Sequence, residues 1–234
     1  MDKQDLREEI WDELEDSGEA RFPYPPHGRI PNFANAKAAA ERLTELDAWQ
    51  DADAIKSNPD SPQLPVRRAA LRQGKTLYMA VPRLREEQCF LELDPTEIED
   101  IDHATTIGGS SEVGVQVGPE EMEPIDLVVS GSVAVDEQGA RVGKGEGYSD
   151  LEFAVLREFG LVDDDTTTVS TVHEIQVVDR AIDTAPHDVP IDYLCTPERA
   201  IQTGAAPEKP NGIAWEQLPD EKIESIPILQ RLRN

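Results

Sequence analysis

Positive charge is scarce in this sequence. Lysine and arginine supply 22 residues against 48 aspartates and glutamates, for a net charge of −26, and only seven of the 22 are lysine. The acids are spread along the chain rather than gathered in a block. A surface of that kind repels phosphates, so nucleic acid is excluded as a partner. Aromatic residues are few, at 5%. No run of about 18 apolar residues occurs, so no membrane-spanning helix and no membrane partner is expected. Cysteine appears twice, as Cys89 and Cys195, far apart and without metal-type spacing. Both sit in apolar, strand-like surroundings and read as buried free thiols. The segment Met1–Arg7 has no apolar signal region, so a cytoplasmic protein is expected.

What remains is ordinary for a globular chain. A length of 234 residues fits one domain, or one domain with extensions. High charge usually means disorder, but apolar periodic segments run through the whole sequence. A halophile's solvated surface, of the kind carried by haloarchaeal proteins, accounts for both facts.

Leu6, Ile10, Trp11 and Leu14 form one stripe of a helix over 2–15. Residues 20–35 are proline-rich and irregular. A helix over 35–47 turns Ala39, Leu43 and Leu46 inward, and another begins at Pro65 and ends near Gly74. Strands are expected over 52–56, 76–81, 89–93, 124–129, 167–172 and 191–196. Strands alternating with helices predict an α/β fold with a mainly parallel sheet covered on both faces. The tail carries Pro207, Pro210, Pro219 and Pro227 and is expected to wrap the surface as an extended arm.

The richest segment is Gly139-Ala140-Arg141-Val142-Gly143-Lys144-Gly145-Glu146-Gly147-Tyr148-Ser149-Asp150. Four glycines, two cations and a carboxylate lie between an apolar strand and a helix. Glycines let the backbone approach a ligand, and amides at a helix N-terminus attract anions. Ser149 with Glu152 three residues on reads as a capping box. Leu151, Val155, Leu156 and Phe159 follow at helical spacing, and Gly160 stops the helix. The spacing fits neither a Walker A loop nor a dinucleotide fingerprint. A glycine-rich hairpin without a ligand stands as the plainer alternative.

Other polar residues stay open on spacing alone. Lys3 and Arg7 share one side of the first helix, as surface cations or as a pair with a role. Pro186-His187-Asp188-Val189-Pro190-Ile191-Asp192 is either a turn with solvated acids or a source of Mg²⁺ ligands. His173 is structural or catalytic. Pro82-Arg83-Leu84-Arg85 holds an anion or caps its loop.

The sequence resembles the 5-formyltetrahydrofolate cyclo-ligase (5,10-methenyltetrahydrofolate synthetase) family. The residues that carry the resemblance are Gly139–Asp150, Gln176, Pro186–Asp192, Thr196, and the N-terminal Lys3-Gln4-Asp5-Leu6-Arg7. Their order holds across 3–197. It is most similar to the branch of methenyltetrahydrofolate synthetase domain-containing proteins, through Ile30-Pro31-Asn32-Phe33, Asn58-Pro59-Asp60-Ser61-Pro62-Gln63, Gly74–Met79 and Val128–Val135.

The resemblance implies a three-layer sandwich of the NagB/RpiA/CoA transferase-like kind. Its domain spans 1–200, with 201–234 as an extension packed on it. It implies a ligase of one-carbon metabolism: with ATP and Mg²⁺, the formyl oxygen of 5-formyltetrahydrofolate attacks the γ-phosphate, and N10 then closes the ring as phosphate leaves. A reduced folate is the implied small-molecule partner. Lys3, Arg7, Gly143, Gly145, Glu146 and Gly147 match the family's ATP contacts, and Asp150 and Asp188 match its Mg²⁺ positions. Tyr148, Lys144 and Arg141 are the implied catalytic residues, with Tyr148 near the folate.

Three departures stand out. Ser149 replaces a tyrosine, Glu146 puts a carboxylate in the phosphate loop, and no glutamate of the pterin side appears near Ser61-Pro62-Gln63. Two alternatives follow: an ATP-binding paralogue acting on another heterocycle, as in thiamine metabolism, or a non-catalytic nucleotide-binding module. The acidic surface gives a first prediction. Thermal unfolding followed in KCl from zero to several molar should show the native state only in concentrated salt; full stability in dilute buffer ends the halophile reading.

Overall fold

The fold is described by a computed structural model covering residues 2–204 and 208–233; Pro207 of the tail lies outside the described residues. The strands in chain order are β1 (Ala20–Arg21), β2 (Asn32–Phe33), β3 (Ala54–Ser57), β4 (Thr76–Ala80), β5 (Phe90–Leu93), β6 (Val115–Val117), β7 (Leu127–Val129), β8 (Ala134–Asp136), β9 (Arg141–Val142), β10 (Thr167–Thr171), β11 (Val177–Val178), β12 (Tyr193–Cys195) and β13 (Ala200–Gln202). The helices are α1 (Lys3–Asp16), α2 (Ala36–Thr44), α3 (Asp47–Gln50), α4 (Leu64–Arg72), α5 (Ile101–Ala104), α6 (Ile107–Val113), α7 (Tyr148–Glu158), α8 (Asp220–Ser225) and α9 (Pro227–Arg233).

The main sheet runs β13-β12-β10-β7-β3-β4-β5-β6. Its middle, from β12 to β4, is parallel throughout. Antiparallel strands flank it: β13 on one side, β5 and β6 on the other.

Strand alternation sorts the core onto both faces. Ile55, Leu77, Met79, Leu127 and Val129 bury against Ala40 and Leu43 of α2 and Val66 and Ala70 of α4. Ala54, Tyr78, Ala80 and Val128 point the other way, onto Phe153, Val155 and Leu156 of α7 and onto Ile223, Ile228 and Leu229 of α8 and α9. This is the expected sandwich of a mostly parallel sheet between two helical layers. Burial leaves both thiols protonated: Cys89 and Cys195 are free, buried, and pushed up to about 12.

A second sheet, β11-β8-β9, sits beside the sandwich. The stripe Leu6, Ile10, Trp11 and Leu14 of α1 packs on its Val133, Ala134, Ala140 and Val142. Helix α1 is therefore held beside the segment that follows β9.

Four expectations need correction. The strand leading into the glycine segment belongs to the small sheet, not to the parallel one. There β8 and β9 form an antiparallel hairpin whose turn is closed by Asp136, its Oδ1 accepting from the Gln138 and Ala140 amides. The capping box over Ser149 and Glu152 does not form. Helix α7 starts earlier, with Gly147 (φ +68°) as N-cap and no side-chain cap, because both side chains are drawn into the sheet. Leu46 lies beyond α2, at the N-cap of α3. The tail is not an extended arm: it adds β13 to the main sheet and folds into α8 and α9, with Ile223, Ile226, Ile228 and Leu229 buried.

That last finding gives a second prediction. Leu229 has no exposed surface, so Leu229→Ala should cost about 2–5 kcal/mol in denaturant unfolding. A loss below ~0.5 kcal/mol, the level of a surface substitution, would mean the helix is peripheral.

Candidate functional site

A cleft of about 330 Å³ opens where β3, β4 and β7 end. Its lining includes Asn58 and Asp60 after β3, Val81 and Arg83 after β4, and Gly131 after β7. Parallel sheets place ligands at such carboxyl ends. The opposite wall is Gly143, Lys144, Glu146 and Gly147, followed by Tyr148, Ser149, Asp150 and Glu152 of α7.

The floor is polar and closed to water. Lys56 (1% exposed) ion-pairs with Glu152 of α7. Asn58 donates from Nδ2 to the same carboxylate (3.2 Å), and its Oδ1 accepts from Gly131 N (3.0 Å) and Ser149 Oγ (3.2 Å). One asparagine thus joins β3, β7 and α7. Arg67, also buried, donates to the carbonyls of Asn58 (2.8 Å) and Asp60 (2.9 Å) and so fixes the turn after β3. Burial lowers its guanidinium to about 10. Burial also pushes the Asp60 carboxyl above its ordinary value, against the pull of nearby Lys144.

The glycine segment is shaped for an anion. Gly145 and Gly147 take positive φ (+105° and +68°), which side chains rarely adopt. The first-turn amides of α7 meet no side-chain cap. Arg7 reaches over from α1, its Nε donating to Gly143 O (2.7 Å). Arg141, 4% exposed, donates to Gly131 O (2.8 Å) and pairs with Asp150 (2.7 Å). Lys144 pairs with Glu146 (2.8 Å), and Arg83 approaches the same carboxylate at 3.3 Å. The hydrogen bond from Lys144 holds Glu146 below its ordinary range. Lys222 of α8 donates to Glu146 O (2.8 Å). Arg7, Arg83, Arg141, Lys144 and Lys222 therefore surround one loop of a chain whose net charge is −26.

Seven of the eleven expected site residues line the cleft; Lys3, Arg7 and Gly145 do not, and neither does Asp188. It holds Lys3 instead, at 2.6 Å, and accepts from Ala185 N. Its neighbour Val189 donates to Asp150 Oδ1 (3.0 Å). Burial would raise Asp150, but the charge of Arg141 and the Val189 amide outweigh it and hold the carboxyl below its ordinary value. Among the described residues, no group of three or more acidic, His or Cys side chains could hold a metal by itself.

Gln176 is a clamp, donating to Ser132 O and accepting from His173 N. His173 caps its own turn by accepting from Ile175 N. Arg83 resolves as a cleft residue. Lys56, Asn58, Asp60, Glu152 and Lys222 were not anticipated as parts of the site. The available signals were the motif at 58–63 and a lysine within an apolar strand at 56.

The site is that of an α/β sandwich with a glycine loop, ringed by cations, at the strand ends. The model of the 5-formyltetrahydrofolate cyclo-ligase family matches residues 1–197, and the chain belongs to that family. It is similar to methenyltetrahydrofolate synthase domain-containing proteins: 44% identical over 239 residues in Bos taurus and 41% over 237 in Homo sapiens, each covering all of this chain and 62% of the relative. The Danio rerio protein is 38% identical over 235 residues, covering 99% of this chain and 61% of the relative. The chain thus spans about three fifths of the length of these curated relatives. The NMR structure of Aquifex aeolicus 5,10-methenyltetrahydrofolate synthetase shares the fold, with a TM-score of 0.54 at 19% identity over 89% of this chain and 97% of that one.

The floor gives a third prediction. Glu152→Gln leaves the Lys56 ammonium buried without its counter-charge and should cost about 3–5 kcal/mol. Adding Lys56→Met should recover most of that loss in urea unfolding. Additive losses in the double variant would dissolve the pair as an energetic unit.

Proposed function

We propose that this chain catalyses ATP-dependent ring closure of 5-formyltetrahydrofolate to 5,10-methenyltetrahydrofolate, releasing ADP and phosphate. The observation that carries the reading is the gathering of five cations around a positive-φ glycine loop at the strand ends of a strongly acidic protein. Phosphoryl transfer needs the phosphates held, the developing charge neutralised and the nucleophile aligned. Gly143, Gly145 and Gly147 offer main-chain amides to the phosphates. Arg7 and Lys144 supply contact charge. Arg141 orients Asp150 and the Gly131 carbonyl. Tyr148, Asn58 and Glu152, which line the cleft, would meet the folate, with Lys56 holding Glu152 from below.

Magnesium fits as an ion brought in with ATP. Such ions use one or two carboxylates and complete their shell with phosphate and water. Asp150, which lines the cleft beside the glycine loop, is the carboxylate that would take part, while Asp188 holds Lys3. When bound, the ion offsets phosphate charge.

One observation favours a second reading, an ATP-using enzyme on another heterocycle. Ser149 stands where the family has tyrosine, and its hydroxyl is tied to Asn58 and Ser130 (3.2 Å each) instead of facing a substrate. A single assay separates the readings: the protein with 5-formyltetrahydrofolate, Mg²⁺ and ATP should gain the near-ultraviolet absorbance of the methenyl product. ATP protection against heating with no such absorbance overturns ring closure and leaves an enzyme on another heterocycle or a non-catalytic nucleotide-binding module. Asp150→Asn should raise the Mg²⁺ concentration for half-maximal ATP binding by about tenfold; an unchanged requirement removes Asp150 from the metal's shell.

A further inference from the structure

The residues after 197 lie outside the stretch that the family model matches, yet they reach the site. They run along α7 from its C-terminal end to its N-terminal end. Asn211 Oδ1 accepts from Arg157 (3.2 Å), and Ile213 N donates to Glu158 Oε1 (2.9 Å). Further on, Gln217, Leu218 and Pro219 face Leu151 and Ala154 of α7 across a cavity of about 130 Å³. The run ends at the glycine loop. There Lys222 Nζ donates to Glu146 O (2.8 Å) and stands 4.4 Å from the centre of the Tyr148 ring.

Those two contacts fall on the residues either side of Gly147. That glycine is the left-handed N-cap of α7 and has no side-chain cap. The turn is where the amides of the loop pass into those of the helix, so its conformation decides whether they converge. A cation beside a helix N-terminus opposes the helix dipole. The hydrogen bond and the ring contact offset that cost, and an anion on the loop would reverse its sign.

We propose that Lys222 is a positioning residue of the phosphate site, fixing the Glu146–Tyr148 turn from an extension beyond the family's core. The inference rests on the reading of the loop as an ATP cradle. It assigns the extension a part in nucleotide affinity and not only in packing.

The test uses the full chain with Lys222→Met and Lys222→Arg. Without nucleotide, amide hydrogen exchange at 145–148 should rise about tenfold in Lys222→Met and stay near the parent in Lys222→Arg. By calorimetry the ATP dissociation constant should rise about tenfold in Lys222→Met and be largely restored in Lys222→Arg. Turnover at saturating ATP should fall by less than ATP affinity does, the split expected when lost binding outweighs lost transition-state contact. Parent-like exchange in Lys222→Met, or equally tight ATP binding, overturns the inference. If the parent itself binds no ATP, the cradle reading fails separately, and the exchange measurement alone decides whether Lys222 positions the turn.

Discussion

The Lys56–Glu152 ion pair is the contact on which the geometry of the cleft depends. One charge sits within a central parallel strand and the other in the second turn of α7, so the pair sets the height and rotation of that helix over the sheet. Asn58 reinforces it by bonding the same carboxylate while holding Gly131 N and Ser149 Oγ. A pair of this kind is weak evidence for stability, because desolvation offsets much of the attraction. Its effect here is directional. An apolar substitute could fill the volume, but it would not specify which turn of α7 meets which residue of β3.

That placement explains why the loop can gather cations. Arg7 comes from α1, Arg83 from the turn after β4, Lys222 from α8, and Arg141 and Lys144 from the segment itself. They are separate in sequence, and only the fixed α7 and the small sheet bring them together. Within the cluster Glu146 is doubly paired, so a carboxylate in the glycine loop costs little: Lys144 and Arg83 neutralise it. If the acidic surface serves a salt-rich medium, the Debye length falls to about 3 Å at 1 M. Long-range steering then vanishes, and only cations in direct contact with a bound phosphate contribute. Arg7 and Lys222 are both anchored against loop carbonyls, so their charges stay beside the loop whatever the salt.

Much of this was legible in the sequence, for identifiable reasons. The α1 stripe, the apolar strands and the Gly160 stop are local patterns, and local patterns survive folding. The motifs at 3–7 and 139–150 are contiguous and rich in special residues, so they mark the glycine loop and the helix that packs beside it. What escaped is non-local. Glu152 sits three residues after Ser149, the spacing of a capping box, and nothing nearby in the chain reveals the buried lysine that claims it. Lys56 ends an apolar run without a motif. Asp188 carries the right residue type for a metal, but its pairing with Lys3 crosses 185 positions. The proline content of the tail signalled irregular chain, whereas Ile223, Ile226, Ile228 and Leu229 supply enough apolar surface to bind it to the sandwich.

The tail also changes how the site is delimited. The family match ends at 197, just past β12, and a boundary near 200 cuts the sheet at β13. Lys209 Nζ, 8% exposed, donates to the carbonyls of Asp164 and Thr166 and pairs with Asp192 at 2.8 Å, which pins the start of the extension to the core. From there the chain follows α7 and delivers Lys222 to the loop. Pinned at one end, packed in the middle and bonded to the loop at the other, the extension is continuous with the sandwich. An account of the cleft confined to the matched residues would therefore omit one of its five cations, the one that holds the turn where the glycine loop becomes a helix.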